Sequence, residues 1–161
     1  MLEVHIAYPQ DPLAEHARAL EPTAFEDGYE RASLFFVAVE DGRVVGMIRV
    51  IGDSPAGLKT LNEVGPVPGL DPFFTWDMAS SVSEDAVVRH ALYSAFLREG
   101  LRQGVYAAVA KIDGQAVVTR LRQVPAILAG DPPLYDRIVL GTGFARPVRF
   151  PARRELAPAL R

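Results

Sequence analysis

Apolar and polar residues alternate along Glu3–Tyr8 (EVHIAY), which is the period of a half-buried strand. Pro12 to about Glu30 is helix-like. Asp11 ahead of Pro12 predicts an N-cap with proline at the first helical position, and Pro22 divides the region into two pieces. The clearest pattern follows. Leu34–Val39 (LFFVAV) and Arg43–Ile51 (RVVGMIRVI) are β-branched and aromatic runs on either side of Glu40-Asp41-Gly42, so they predict a hairpin. Gly46, inside the second run, predicts a bulge or a close approach by a neighbour.

Gly52–Pro72 carries Pro55, Pro66, Pro68 and Pro72 with Gly57, Gly65 and Gly69, and is expected to be a long loop of the kind that covers functional sites. Phe73 and Phe74 lead into a strand that runs to about Val82. Ala86–Gln103 is the best helix. Its apolar residues at 87, 88, 91, 92, 95 and 96 make one broad stripe, and Gly104 is a natural stop. Val105–Ile112 (VYAAVAKI) predicts a buried strand, and Asp113 is expected to cap a second helix through roughly Gln123. A loop over Ala126–Pro133 and a hairpin of Arg137–Leu140 with Phe144–Phe150 around Gly141-Thr142-Gly143 complete the reading. A charged tail after Pro151 is expected to be mobile. The order is mixed α/β (α+β), with a mostly antiparallel central sheet flanked by helices in one domain of 161 residues.

Composition narrows this picture. The chain is 49% hydrophobic and 23% charged, an ordinary globular balance. It has no cysteine, so a disulfide scaffold, a thiolate metal site and a cysteine nucleophile are all excluded. No basic leader or membrane-length apolar run is present, so the expectation is a soluble, cytoplasmic protein. Residues 1–80 hold 5 Lys/Arg against 13 Asp/Glu, and residues 81–161 hold 12 against 7. That imbalance suits an anionic ligand on one side and an amine on the other. No basic cluster with interleaved aromatics points to nucleic acid. His5, His16 and His90 lack metal-ligand spacing, so no metal is expected and all three are read as non-catalytic.

The hairpin FFVAVEDGRVVGMIRVI, followed by a strand, a helix and YAAVAKID, resembles by element order the GNAT superfamily of acyl-CoA-dependent N-acyltransferases over about residues 33–125. In that family a glycine-rich loop after the fourth strand closes backbone N–H groups around a pyrophosphate. The corresponding stretch here, Ser83 to Arg89, contains no glycine. A nearer resemblance is to the branch of acyl-homoserine-lactone synthases and N-acyl amino acid synthases. Trp76-Asp77-Met78-Ala79-Ser80 is similar to their Trp-Glu-Leu-Ser-Arg strand, with Asp77 for the glutamate and Ser80 in place of the arginine. Arg49 is similar to their third-strand arginine. The resemblance implies a GNAT-like sheet with strands four and five splayed. It also implies acyl transfer from acyl-CoA, acetyl-CoA or an acyl-carrier protein to a small-molecule amine, and a possible homodimer.

Such a transfer needs the amine deprotonated, the thioester carbonyl polarised and the leaving thiolate protonated. Asp77 is the candidate for the amine, and Tyr93 and Tyr135 are candidates for the thiolate. Backbone N–H groups near Ser80, Ser81 and Val82 are candidates for the carbonyl, provided the strand bulges there. Arg89 is the candidate for a cofactor phosphate. Arg49 needs a carboxylate or a ligand, because an unpaired buried arginine is costly. Trp76 is a candidate wall of an acyl pocket or a core aromatic. Ser83-Glu84-Asp85 reads first as a helix cap. The alternative to an enzyme is a catalytically degenerate member that binds a small molecule or a partner.

Overall fold

The computed structural model describes residues 1–21 and 27–121. The break at Pro22, the helix end at Gln123, the loop over Ala126–Pro133, the hairpin within Arg137–Phe150, the tail and Tyr135 lie outside the described residues.

Strands β1 (Leu2–Ala7), β2 (Ser33–Glu40), β3 (Arg43–Ile51), β4 (Thr75–Ser83), β5 (Ala107–Ile112) and β6 (Gln115–Arg120) form one six-stranded sheet in chain order. Every neighbouring pair is antiparallel except β4 and β5, which run parallel. Helices α1 (Pro12–Arg18) and α2 (Lys59–Val64) precede the main helix α3 (Ala86–Arg102). This is the GNAT-like mixed sheet expected from the sequence. The parallel pair is the reason for the intervening helix: two parallel neighbours need a crossover, and α3 supplies it.

The hairpin of β2 and β3 turns on Asp41 and Gly42, both with positive φ (50° and 78°). Asp113 and Gly114 repeat that geometry at 50° and 76°. The chain therefore makes a second tight hairpin after β5, and Gln115–Arg120 is a strand. The helix expected from Asp113 is thus overturned. The aspartate opens a two-residue turn instead of capping a helix. Two further expectations change. Among the described residues, the helix-like stretch from Pro12 is a helix over Pro12–Arg18 and a short 3-10 turn at Glu30–Ala32. The long loop contains α2 and a second 3-10 turn at Pro72–Phe74.

α3 packs its apolar stripe on one face of the sheet. Leu92, Phe96 and Leu97 meet Leu34, Phe36, Ile48, Val50 and Trp76 there. Gly46 makes the approach possible: a Cβ on it would lie 2.8 Å from the Val82 carbonyl oxygen and 2.8 Å from Val88 Cγ1. The opposite face is covered by α1 over Phe35, Val37 and Met47, and by α2 with Leu58 over Ile51 and Val109.

Candidate functional site

β4 and β5 pair over only three residues each, ending at Asp77 opposite Val109. Beyond that pair β4 continues to Ser83 and β5 to Ile112 without bonding to each other. The two strands therefore splay into a V whose apex is the Asp77–Val109 pair. Immediately past the apex the ladder with β3 slips. Arg49 pairs with Ser80 but Val50 pairs with Met78, so Ala79 is an extra residue. A bulge of this kind bends a strand and re-aims the side chains after it. Cross-strand partners share a face. Ser80 therefore joins Arg49 and Asp77 on the α2 face, and Ser81 joins Ile48 on the α3 face. The splay implied by the resemblance is present, and β4 carries a bulge one residue ahead of the serines.

Asp77 is fully buried. Its Oδ2 accepts the Thr60 backbone N–H at 2.6 Å, and its Oδ1 accepts the Thr60 hydroxyl at 2.8 Å. α2 touches β4, β5 and β6, so it lies across the apex of the V on this face. Burial pushes the Asp77 carboxyl up to about 6, against the two bonds from Thr60, which favour the charged form. The Glu63 charge adds to the rise and the Lys59 charge opposes it.

Arg49 is also fully buried. Its Nε donates to Ser33 Oγ at 2.9 Å, and its two terminal nitrogens meet Asp27 at 2.6 and 2.9 Å. Lys59 Nζ donates to the same Asp27 carboxylate at 3.0 Å, and Lys111 Nζ to Glu63 at 3.0 Å. Arg49, Asp27, Lys59, Glu63 and Lys111 thus form a row of alternating charge from β3 through α2 to β5. Desolvation works against ionising Asp27. The hydrogen bonds from Arg49, the Tyr29 N–H and Lys59 outweigh it, and hold the carboxyl well below the usual carboxylate range.

The α3 face carries the other candidates. Trp76 is fully buried, with its ring centroid 5.9 Å from Phe36 and 5.4 Å from Phe96. It packs as a core aromatic directly beneath the apex. Tyr93 donates its hydroxyl to Ser81 Oγ at 3.0 Å, which ties α3 to the strand just past the bulge. Val82 pairs with Met47 and lies against the α1-side core. Arg89 is half-buried in the second turn of α3.

The acids before α3 have structural partners. Asp85 is the N-cap and accepts the Val88 N–H at 2.8 Å, and Glu84 pairs with Arg43. The cap is thus Asp85 rather than Ser83. No group of three or more His, Cys, Asp or Glu among the described residues is arranged to hold a metal ion. His5 bonds Glu3 at 3.1 Å on the exposed side of β1. No helix among the described residues is long and apolar enough to cross a membrane.

The structure brings Asp77, Ser80 and Arg49 to one face and Trp76, Ser81 and Tyr93 to the other, around one divergence of two strands. It also adds residues that the sequence left unmarked: Thr60, Asp27 and Lys59. Their signal is long-range. Thr60 is 17 residues from Asp77, and Asp27 is 22 from Arg49.

No protein-family model matches the chain, and no curated protein matches it. Among solved structures the chain is similar to that of BjaI, described as a CoA-dependent acyl-homoserine lactone synthase, with SAM and isopentyl-CoA. The superposition has a TM-score of 0.56 at 16% identity, over 97% of this chain and 100% of that one. At that identity the likeness establishes a shared fold.

Proposed function

We propose that this protein transfers an acyl group from a thioester donor, acyl-CoA or an acyl-carrier protein, to a small-molecule amine. The observation that carries the reading is the V itself: two parallel strands that part at Asp77 and Val109, with the extra residue Ala79 on the β4 edge. Beyond the apex β4 offers backbone N–H and C=O groups that β5 does not take up. Such an edge accepts an extended chain with its own amide groups, as a pantetheine arm has, much as a sheet edge accepts a strand. The similar synthase is described as CoA-dependent and with isopentyl-CoA, which supports a CoA-linked donor.

In this reading the thioester carbonyl lies against the β4 edge near Ser80, Ser81 and Val82, where backbone N–H groups stabilise the developing oxyanion. The amine is received on the α2 face. Its nitrogen attacks the carbonyl carbon, the C–S bond breaks and the thiolate leaves. Asp77 accepts a proton released from the amine, directly or through water. Burial pushes its carboxyl up to about 6, toward the neutral range in which a general base works. Tyr93, tied to Ser81 on the other face, returns a proton to the thiolate. Arg89 meets a cofactor phosphate, in place of a glycine-rich loop. Trp76 closes the apex behind the acyl group. Arg49 acts through Asp27 and Ser33 as the frame that keeps the acceptor face in register.

A second reading is binding without turnover. It is favoured by one observation: both oxygens of Asp77 and the guanidinium of Arg49 have partners within the chain itself. One experiment separates the two. The protein is mixed with CoA thioesters of increasing chain length and a panel of amines, and free thiol is followed together with thermal shift. Amine-dependent thiol release is expected. Stabilisation by thioesters with no thiol release under any amine would establish the second reading. Neither response would remove both.

A further inference from the structure

We infer that Thr60 is a positioning residue for this site: its N–H and its hydroxyl hold both oxygens of Asp77 and so set the orientation of the carboxylate that handles the amine. The inference rests on the acyl-transfer reading for its catalytic consequence and on geometry alone for its structural part. Asp77 lies on the last paired residue of β4, where the strand is about to bulge and leave β5. Its strand neighbours across the sheet are Ile51 and Val109, and neither has a polar side chain. The carboxylate would otherwise be free to rotate. Thr60 removes that freedom, since two donors from one residue meet its two oxygens at 2.6 and 2.8 Å. Thr60 is itself 3% exposed, so these bonds do not compete with water.

The location of Thr60 makes it more than a local partner. It is the second residue of α2, whose two neighbouring charges are themselves tied down. Lys59 is paired with Asp27, and Glu63 with Lys111 of β5. The charged groups that face Asp77 are therefore Lys59 and Glu63 from α2, with Lys111 reaching Glu63 from β5. On β3 the nearest is Arg49, neutralised by Asp27. Opposite signs alternate along this row. The strongest local influence on the charged form of Asp77, apart from burial, is then the pair of bonds from Thr60.

Thr60→Val keeps the shape and the backbone N–H but deletes the hydroxyl. Thr60→Ser keeps the hydroxyl, and Thr60→Ala is the second deletion in case the valine variant does not fold. The Asp77 carboxyl is titrated by carbon NMR in the free protein, and the pH profile of kcat/KM is recorded with a thioester and an amine. Loss of one hydrogen bond to the charged form is expected to move the Asp77 midpoint up by roughly half to one unit. The acid limb of the rate profile moves with it, and serine restores both. An NMR midpoint that does not move in either deletion variant overturns the inference. A midpoint that moves while the rate profile stays in place overturns the catalytic role of Asp77, and with it the positioning role of Thr60. Absence of turnover in the wild type counts against the acyl-transfer reading, whereas the NMR arm still decides whether Thr60 holds the carboxylate.

Discussion

Arg49 and Asp27 meet as a two-point ion pair, Nη1 to Oδ2 at 2.6 Å and Nη2 to Oδ1 at 2.9 Å, with the arginine fully buried on the inner face of β3. Two parallel N–H···O bonds match the planar fork of the guanidinium. The pair anchors the chain before β2 to the middle of the sheet. Removing one partner of such a pair strands a charge in a low-dielectric interior. Asp27→Ala is expected to cost about 3–5 kcal/mol in urea unfolding at pH 7. Replacing both partners, as Arg49→Met with Asp27→Leu, is expected to recover most of that loss. A single-variant cost below about 1 kcal/mol would mean that water or Lys59 takes over the guanidinium's partner.

The two buried-side carboxylates predict opposite pH signatures. The Asp27 carboxyl lies below its ordinary value, so its contribution is present above about pH 4 and is lost as the pH falls through its folded value. The Asp77 carboxyl lies above its ordinary value of 3.8, at about 6. A raised carboxyl binds its proton more tightly in the folded state. Its contribution is therefore complete below the ordinary value and declines as the pH rises through about 6. Asp77→Asn is expected to flatten the fall in stability between about pH 4 and pH 7 and to lower kcat/KM by at least about 100-fold. Denaturation at a series of pH values checks the first, and thiol release checks the second. The two readouts are independent. A flat stability profile with full turnover would keep the electrostatics and discard the base.

How much of this was legible beforehand depends on the distance between partners. The β2–β3 hairpin and the need for close packing at Gly46 are local signals, and each appears where the sequence placed it. α3 is also present, but its buried face is rotated from the expected stripe: it runs through Val88, Leu92, Tyr93, Phe96, Leu97 and Gly100, while Val87 is exposed. β6 was equally local and was misread. Ile112-Asp113-Gly114-Gln115 repeats the chemistry of Glu40-Asp41-Gly42-Arg43, but Val117, Val118 and Leu121 also fit a helical stripe, and a short apolar run does not choose between the two periods. Turn chemistry was the deciding evidence. The sequence offered candidate residues on β3, β4 and α3 but not their arrangement. Ala79 carries no mark of a bulge, and the partners of Asp77 and Arg49 come from the long loop and the pre-β2 segment through tertiary docking.

Gly46 gives a prediction with a clear steric origin. A methyl group there would meet the Val82 carbonyl oxygen at 2.8 Å, Val88 Cγ1 at 2.8 Å and Leu92 Cδ1 at 3.0 Å. The side chains can yield a little, but the carbonyl belongs to β4 and cannot. Gly46→Ala is expected to push α3 away from β3 and destabilise the fold by about 1–3 kcal/mol. Gly46→Val is expected to cost more. Guanidinium unfolding measures both, and a neutral alanine variant would show that α3 can slide on the sheet.

The start of α3 separates capping from ligand binding by sign. Asp85 holds the Val88 N–H at 2.8 Å, whereas the described hydrogen bonds of the cap do not involve Ser83. Asp85→Ala should therefore cost about 1 kcal/mol of stability, and Ser83→Ala no more than about 0.5 kcal/mol. The same aspartate places a negative charge at the end of the helix where a cofactor phosphate would gain from free N–H groups. Its removal frees the Val88 N–H and deletes the repulsion. Under the acyl-transfer reading, Asp85→Ala lowers the melting temperature yet tightens binding of free CoA, and Arg89→Gln loosens it. Calorimetric titration of both variants with CoA tests this. Unchanged affinity in both variants would place the phosphates away from this helix end.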